Sequence, residues 1–260
     1  MNLVEAIIRE SLETIYRTIL KVKSGVIFKK KHNKYLNDLK NEGISIVPNY
    51  LSEEKIEKYK GLIDKYLDDE KSNVWVDEKG ADERLYFIDE IDEDFKKYYE
   101  TPLFREVLKE YTGISKPKGM LLAGKIKAVS DNLGSGGGWH RDSAFAHQFK
   151  SICYLTEVKS VNGPFMYIRS SNNKFNILKQ YIYGVIKPGA SRFNDDEIKE
   201  YLKVTKQEVV EVTGSAGSLV FADTKGIHRG KPIEEGERYV LFCYFWNKNT
   251  PTHFNELKQV

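Results

Sequence analysis

Gly217-Ser218-Leu219-Val220-Phe221-Ala222-Asp223-Thr224 and, after Lys225-Gly226, Ile227-His228-Arg229-Gly230 are the stretch on which the fold turns. Its apolar run has the length and residue types of a strand; a tight turn follows, and His228 starts the return. A second turn over 232–237 feeds Arg238 and then the run 239–246, the longest strongly apolar stretch in the chain and again of strand length. Working upstream, the same signals predict strands over 121–130, 139–142, 151–158, 165–168 and 208–213, with a loop of four glycines between Asn132 and Gly138. Segments 173–183 and 195–204 read as loop with partial helix. Many short strands with turn signals, preceded by helices, predict a mainly β fold: a jelly-roll barrel with flanking helices outside it.

The helices lie toward the N-terminus. Val4, Ile7, Ile8, Leu12, Ile15 and Ile19 recur at three- and four-residue spacings, with Glu5, Arg9, Glu13 and Arg17 between them. Such a stripe is expected to be covered, whether by the main body, a second subunit or a membrane surface. The lysine-rich stretch 21–34, with Lys29-Lys30-Lys31, reads as a solvated face; a site for acidic lipid or substrate is the sharper alternative. Residues 43–48 form a strand ending at Pro48, and Ser52-Glu53-Glu54 starts a helix with Ile56, Tyr59, Ile63 and Leu67 on its apolar face. Residues 68–82 are charged and expected at the surface. Thr101-Pro102 starts another helix that Gly113 ends. The organisation expected is an N-terminal helical, lysine-rich extension over 1–42 and a barrel domain over 43–260.

Bulk properties narrow the class. The 260 residues carry 41 basic and 38 acidic side chains, a balance that calls for no nucleic-acid partner. No apolar run approaches the roughly 20 residues needed to cross a bilayer. Glu5, Arg9, Glu10 and Glu13 are unlike a secretory signal, so a cytoplasmic protein is expected. Cys153 and Cys243 lie in apolar runs and are expected as buried free thiols.

The chemistry-bearing residues fall on these strands. On an extended backbone His140 and Asp142 face the same way while Arg141 points elsewhere. Two imidazoles and one carboxylate, His140, Asp142 and His228, suit ferrous iron, occupy one face of an octahedron and leave the other open for a co-substrate and O2. Arg238, on the strand after His228, is outside the ligand sphere. Its guanidinium fork matches the far carboxylate of a chelating 2-oxo acid.

This pattern resembles the phytanoyl-CoA dioxygenase family within the iron(II)- and 2-oxoglutarate-dependent oxygenases. The resemblance rests on His140-Arg141-Asp142, Asn162-Gly163-Pro164, Asp223 through His228-Arg229-Gly230, and Arg238. It is clearest over 118–246, fainter back to Gly43, and does not reach the first forty-odd residues. It implies a cupin-like double-stranded β-helix with iron(II) on His140, Asp142 and His228, and 2-oxoglutarate with its distal carboxylate on Arg238. Lys127 and Thr156 are the further candidates for gripping the co-substrate; Leu155 stands where some relatives have an aromatic. Decarboxylation with O2 to succinate and CO2 would be coupled to hydroxylation of a small or medium organic metabolite, with a small preference for an acidic one. Asp142 occupies the position that halogenases of this superfamily leave without a carboxylate.

Two rival readings stand beside this one. The barrel is either a non-redox cupin-like metal-binding module or isomerase, or an interaction protein docking through its N-terminal helix, by which a homodimer is also expected. His147 is read as facing the substrate or as a satisfied or exposed histidine, and His32 and His253 as surface residues. Arg229 is read as binding an acidic substrate or facing solvent. Trp139 and Tyr167 are read as pocket or core.

Overall fold

Two antiparallel sheets pack at the centre of a computed structural model that describes residues 1–26, 33–114, 118–246 and 250–259. The larger has the order β1 (Ile44–Val47), β10 (Leu219–Asp223), β6 (Phe149–Tyr154), β12 (Glu237–Trp246), β4 (Lys118–Lys127), β3 (Asp82–Tyr86) and β2 (Val74–Val76). The smaller has the order β8 (Arg192–Phe193), β5 (Trp139–His140), β11 (His228–Gly230), β7 (Phe165–Ile168) and β9 (Val209–Val212). The chain passes from one sheet to the other between β4 and β5, β5 and β6, β6 and β7, β9 and β10, β10 and β11, and β11 and β12. That alternation is the cupin-like jelly roll expected from the sequence.

The larger sheet is covered on both faces, which explains why β6 and β10 are buried at every position. Ile152, Tyr154, Val220 and Phe242 face the smaller sheet and meet Phe165, Tyr167 and Val212. Cys153, Phe221, Leu241 and Cys243, one residue out of phase, face helices α3 (Glu53–Leu67) and α6 (Pro102–Thr112) through Tyr59, Ile63 and Phe104. Both cysteines are free and buried, and burial pushes the Cys153 thiol up to about 12. Thr101 caps the first turn of α6.

Several elements differ from expectation. The strand at His140 is two residues long, and Asp142 lies beyond its end. Within the charged stretch 68–82 and just after it, β2 and β3 pair with each other and extend the sheet at β4. Their sequences, Val-Trp-Val and Asp-Glu-Arg-Leu-Tyr, are short and half polar, so periodicity had too few residues to register. Helix α2 (Lys34–Glu42) closes the helical extension, the short α4 (Ile88–Ile91) and α5 (Glu93–Lys97) follow β3, and 174–182 and 195–205 are regular helices, α7 (Lys174–Ile182) and α8 (Asp195–Thr205), each with an asparagine cap.

Helix α1 (Leu3–Lys23) forms as predicted but packs the other way round. Its buried residues are Ala6 and Glu10, whereas Val4, Ile8, Leu12, Ile15 and Ile19 of the apolar stripe are exposed. The cause is a buried charge: Lys225, in the turn between β10 and β11, meets the Glu10 carboxylate at 2.6 Å, with both side chains 1% exposed. An ammonium at that depth requires a partner, and α1 turns its polar face inward to supply it. The main body is therefore not what covers the stripe. Lys29-Lys30-Lys31 and His32 lie outside the described residues.

Candidate active site

Strands β5 and β11 pair with His140 directly opposite His228, which brings the two ring centroids to 4.3 Å. In each imidazole Nδ1 faces a backbone carbonyl two residues upstream, Gly138 at 2.8 Å for His140 and Gly226 at 2.9 Å for His228. Since a carbonyl only accepts, both rings carry their proton on Nδ1 and present an Nε2 lone pair. Those lone pairs converge on Asp142 Oδ1, at 3.5 Å from His140 and 3.6 Å from His228. His228 Nε2 is buried without a hydrogen-bond partner among the described residues. Three donor atoms within 4.8 Å of one another, one an orphan, are what a divalent metal would satisfy.

Backbone geometry holds this arrangement. The Asp142 N–H donates to Thr224 O at 2.9 Å, so the carboxylate is pinned to the turn that delivers His228. Gly226 sits under the Tyr167 hydroxyl, where any Cβ would collide, and its carbonyl is the one that orients His228. In the glycine loop Gly136 has φ +89°, and a side chain there would strike the His140 ring. Arg192, on β8, donates to the Gly136 and Gly137 carbonyls and clasps this loop at the mouth of the site.

Charge is arranged around the carboxylate. The Asp142 residue is exposed as a whole, but only 18% of its side chain is. Burial works to raise its carboxyl, yet the Lys150 ammonium beside it outweighs burial and holds it well below the usual carboxylate range. Lys150 Nζ lies 3.6 Å from Asp142 Oδ2 and 4.3 Å from the Tyr244 ring centroid. Burial pushes His228 down to about 4, with His140 adding to the effect, so the ring is neutral and ready to ligate at pH 7.

Arg238 is 3% exposed, and its Nε has no partner among the described residues. Burial lowers its pKa, against the pull of Tyr154 and Asp82. The Leu155 N–H donates to Tyr239 O, which continues the β6–β12 pairing and brings Thr156 into register with Arg238. Thr156 Oγ1 is likewise buried and unpartnered. Lys127 does not join them. Arg238 pairs with Ile126, so the next residue on β4 points to the opposite face, where Lys127 is 45% exposed and ion-paired to Glu83 at 2.8 Å.

The triad and Arg238 line one cavity of about 490 Å3, with Arg84, Lys150 and Arg192 as further cations and Tyr244, Trp246 and Phe254 as aromatic walls. Sequence reasoning missed Lys150 and Arg84. A lone lysine in the apolar run Phe149–Tyr154 was the available signal, since a cation on the inner face of a barrel strand has to serve something. A second groove, bordered by Leu12 and Tyr16 of α1 and by Phe145, adjoins this cavity at Asp142, Gln148 and Trp246.

The other candidates resolve as follows. His147 bonds through Nδ1 to the fully buried Asp223, which also accepts from Tyr111 and Asn172, and burial pushes His147 down to about 4. Arg229 pairs with Asp195 at 3.3 Å and lies over Trp139. Trp139 packs against Ile186 and Phe193, and Tyr167 donates to Asp223 O, so both are core residues. His253 is exposed at the cavity rim.

The sequence profile of the phytanoyl-CoA dioxygenase (PhyH) family matches residues 39–236. No curated protein matches the chain in sequence. Among solved structures the fold is similar to the non-heme alpha ketoglutarate dependent epimerase SnoN from nogalamycin biosynthesis, at 16% identity over 87% of this chain and 88% of that one, TM-score 0.59. It is also similar to HygX from Streptomyces hygroscopicus, solved with nickel, 2-oxoglutarate and hygromycin B, at 12% identity over 85% and 89%, TM-score 0.56. A Pseudomonas putida prolyl-4-hydroxylase shares 13% identity over 83% and 98%, TM-score 0.54. Among the described residues no helix is long and apolar enough to cross a membrane.

Proposed function

Because this chain belongs to the phytanoyl-CoA dioxygenase family, we propose that it is an iron(II)- and 2-oxoglutarate-dependent oxygenase that hydroxylates a small or medium organic metabolite carrying an acidic group. The observation that carries the reading is one cavity holding two kinds of unsatisfied polar atom. Among the described residues, Nε2 of His228 lacks a partner beside Asp142, and Nε of Arg238 lacks one elsewhere in the cavity. A metal answers the first and the carboxylate of a bound acid the second.

Iron(II) with 2-oxoglutarate and O2 would supply the oxidising equivalent, releasing succinate and CO2. The chain's own residues do the rest. His140, Asp142 and His228 would hold the metal, with Nδ1–H bonds to Gly138 and Gly226 keeping the imidazoles from rotating. Arg238 holds the distal carboxylate of 2-oxoglutarate, with Thr156 Oγ1 as a further donor. Arg84 is paired with Asp82 and Lys150 with Asp142, but with Arg141, Arg192 and Arg238 the cations lining the cavity outnumber the carboxylates, which supports an acidic substrate. Tyr244, Trp246 and Phe254 exclude water from the reacting carbon.

Anaerobic titration with ferrous iron and then 2-oxoglutarate tests the reading. The expected result is a weak visible charge-transfer band from a chelated ferrous complex, followed by oxygen-coupled succinate formation with an acidic substrate panel. Iron binding with no band and no succinate would return the protein to the class of non-redox cupin-like modules.

A further inference from the structure

Helix α1 presents to solvent an apolar seam that nothing among the described residues covers. Ile8, Leu12, Ile15, Ile19 and Val22 follow one another at spacings of four, three, four and three residues, a single line along one face. Their exposures run from 45% at Ile19 to 60% at Leu12, and Val4, near the N-terminal end of the same helix, is 65% exposed. Scattered exposed hydrophobics need no explanation, but a contiguous patch implies an occupant.

Charge decides which occupant. From Thr14 to Asn37 the sequence has no aspartate or glutamate; of its cations Arg17 and Lys21 lie over the Tyr111 ring, Lys23 and Lys34 are exposed, and Lys29, Lys30 and Lys31 lie outside the described residues. Glu5, an exposed acid of α1, lies in the first turn and accepts from the Asn2 N–H. Arg9 and Lys23 are exposed, each one residue past the seam. We propose that α1 docks the protein on an anionic lipid surface, with the seam at the acyl boundary and the basic side chains among the headgroups.

A second copy of the chain fits less well. Antiparallel pairing along the seam sets Arg9 against Lys23 of the other helix, and parallel pairing sets the two lysine-rich ends side by side, so both arrangements join like charges. Five seam residues also fall short of the roughly 20 to 30 residues a side of a stable interface. Leu12 and Tyr16 border the groove that adjoins the metal-site cavity, so docking sets that groove close to the lipid. The inference rests on α1 and is independent of the iron chemistry.

Metal-free, full-length protein is sedimented with vesicles of phosphatidylcholine alone and of phosphatidylcholine mixed with phosphatidylglycerol, at low and high salt. We expect retention on the mixed vesicles, weakening with salt, and a loss of at least about tenfold when Ile8→Ser, Ile15→Ser and Ile19→Ser are combined. A second variant, Arg9→Glu with Lys23→Glu, should lose the preference for anionic vesicles while keeping the seam. Equal absence of wild-type protein from both vesicle pellets would overturn the inference. So would a concentration-dependent dimer in analytical ultracentrifugation that the three serine substitutions abolish, which would assign the face to a second copy.

Discussion

At the metal centre the protein buries imidazole, carboxylate, ammonium and guanidinium; on α1 it leaves a continuous line of isoleucine, leucine and valine in water. Both regions run against the ordinary partition of polar and apolar groups, in opposite directions, and a single ion pair joins them. Glu10 on α1 and Lys225 in the β10–β11 turn are both 1% exposed, and that turn also carries Thr224, which pins Asp142, and Gly226, which orients His228. Burying charge near the site thus fixes which face of α1 is left outside. The difference teaches that burial of a polar group has to be satisfied locally, whereas exposure of an apolar group can await a partner.

The largest effect expected from breaking the comparison is at the polar pole. Asp142→Ala removes the oxygen ligand and leaves Lys150 without its nearest carboxylate, so iron-dependent succinate formation should fall by at least about two orders of magnitude. Turnover close to wild type would detach the chemistry from this triad. Arg238→Met comes next: 2-oxoglutarate affinity should weaken about a hundredfold while ferrous iron still binds, since a charged hydrogen bond of about 1.5–3 kcal/mol is lost. Calorimetry with each ligand separates the two, and unchanged 2-oxoglutarate affinity would remove Arg238 from its proposed role.

Two substitutions on the same helix sharpen the contrast further. Glu10→Ala strands the Lys225 ammonium in the interior and should cost about 3–5 kcal/mol in urea unfolding. Ile15→Ser, on the exposed face, should stay within about 0.5 kcal/mol of wild type. If the isoleucine change proved the more costly, the stripe would be packed after all.

The remaining effect is on pH. Burial lowers both His228 and His147 from 6.5 to about 4, so between these values the unfolded chain binds more protons than the folded one. The stability of the metal-free protein is therefore complete above about 6.5 and falls as the pH drops toward 4. Thermal midpoints across that window should decline, and added ferrous iron should oppose the decline because it binds the neutral imidazoles.

Much of this was legible in the residues. Apolar runs broken by glycine, proline and asparagine marked the strands from β4 onward except the two-residue β8, because strand formation there follows local pattern. His-x-Asp followed by a distant histidine and arginine pointed to the ligands, because metal chemistry restricts the donor types. Asn172 and Tyr111 gave no such signal: they meet Asp223 from 51 and 112 residues away.

By itself, then, the sequence determined a jelly roll, an iron-type donor set and an amphipathic α1. Tertiary structure decided which face each side chain took. One residue of register sends Lys127 to the surface and Ile126 inward beside Arg238, and the buried Lys225 turns α1 about its axis. Composition and period are indifferent to such choices, because they depend on the energy of a charge against whatever the rest of the chain places next to it.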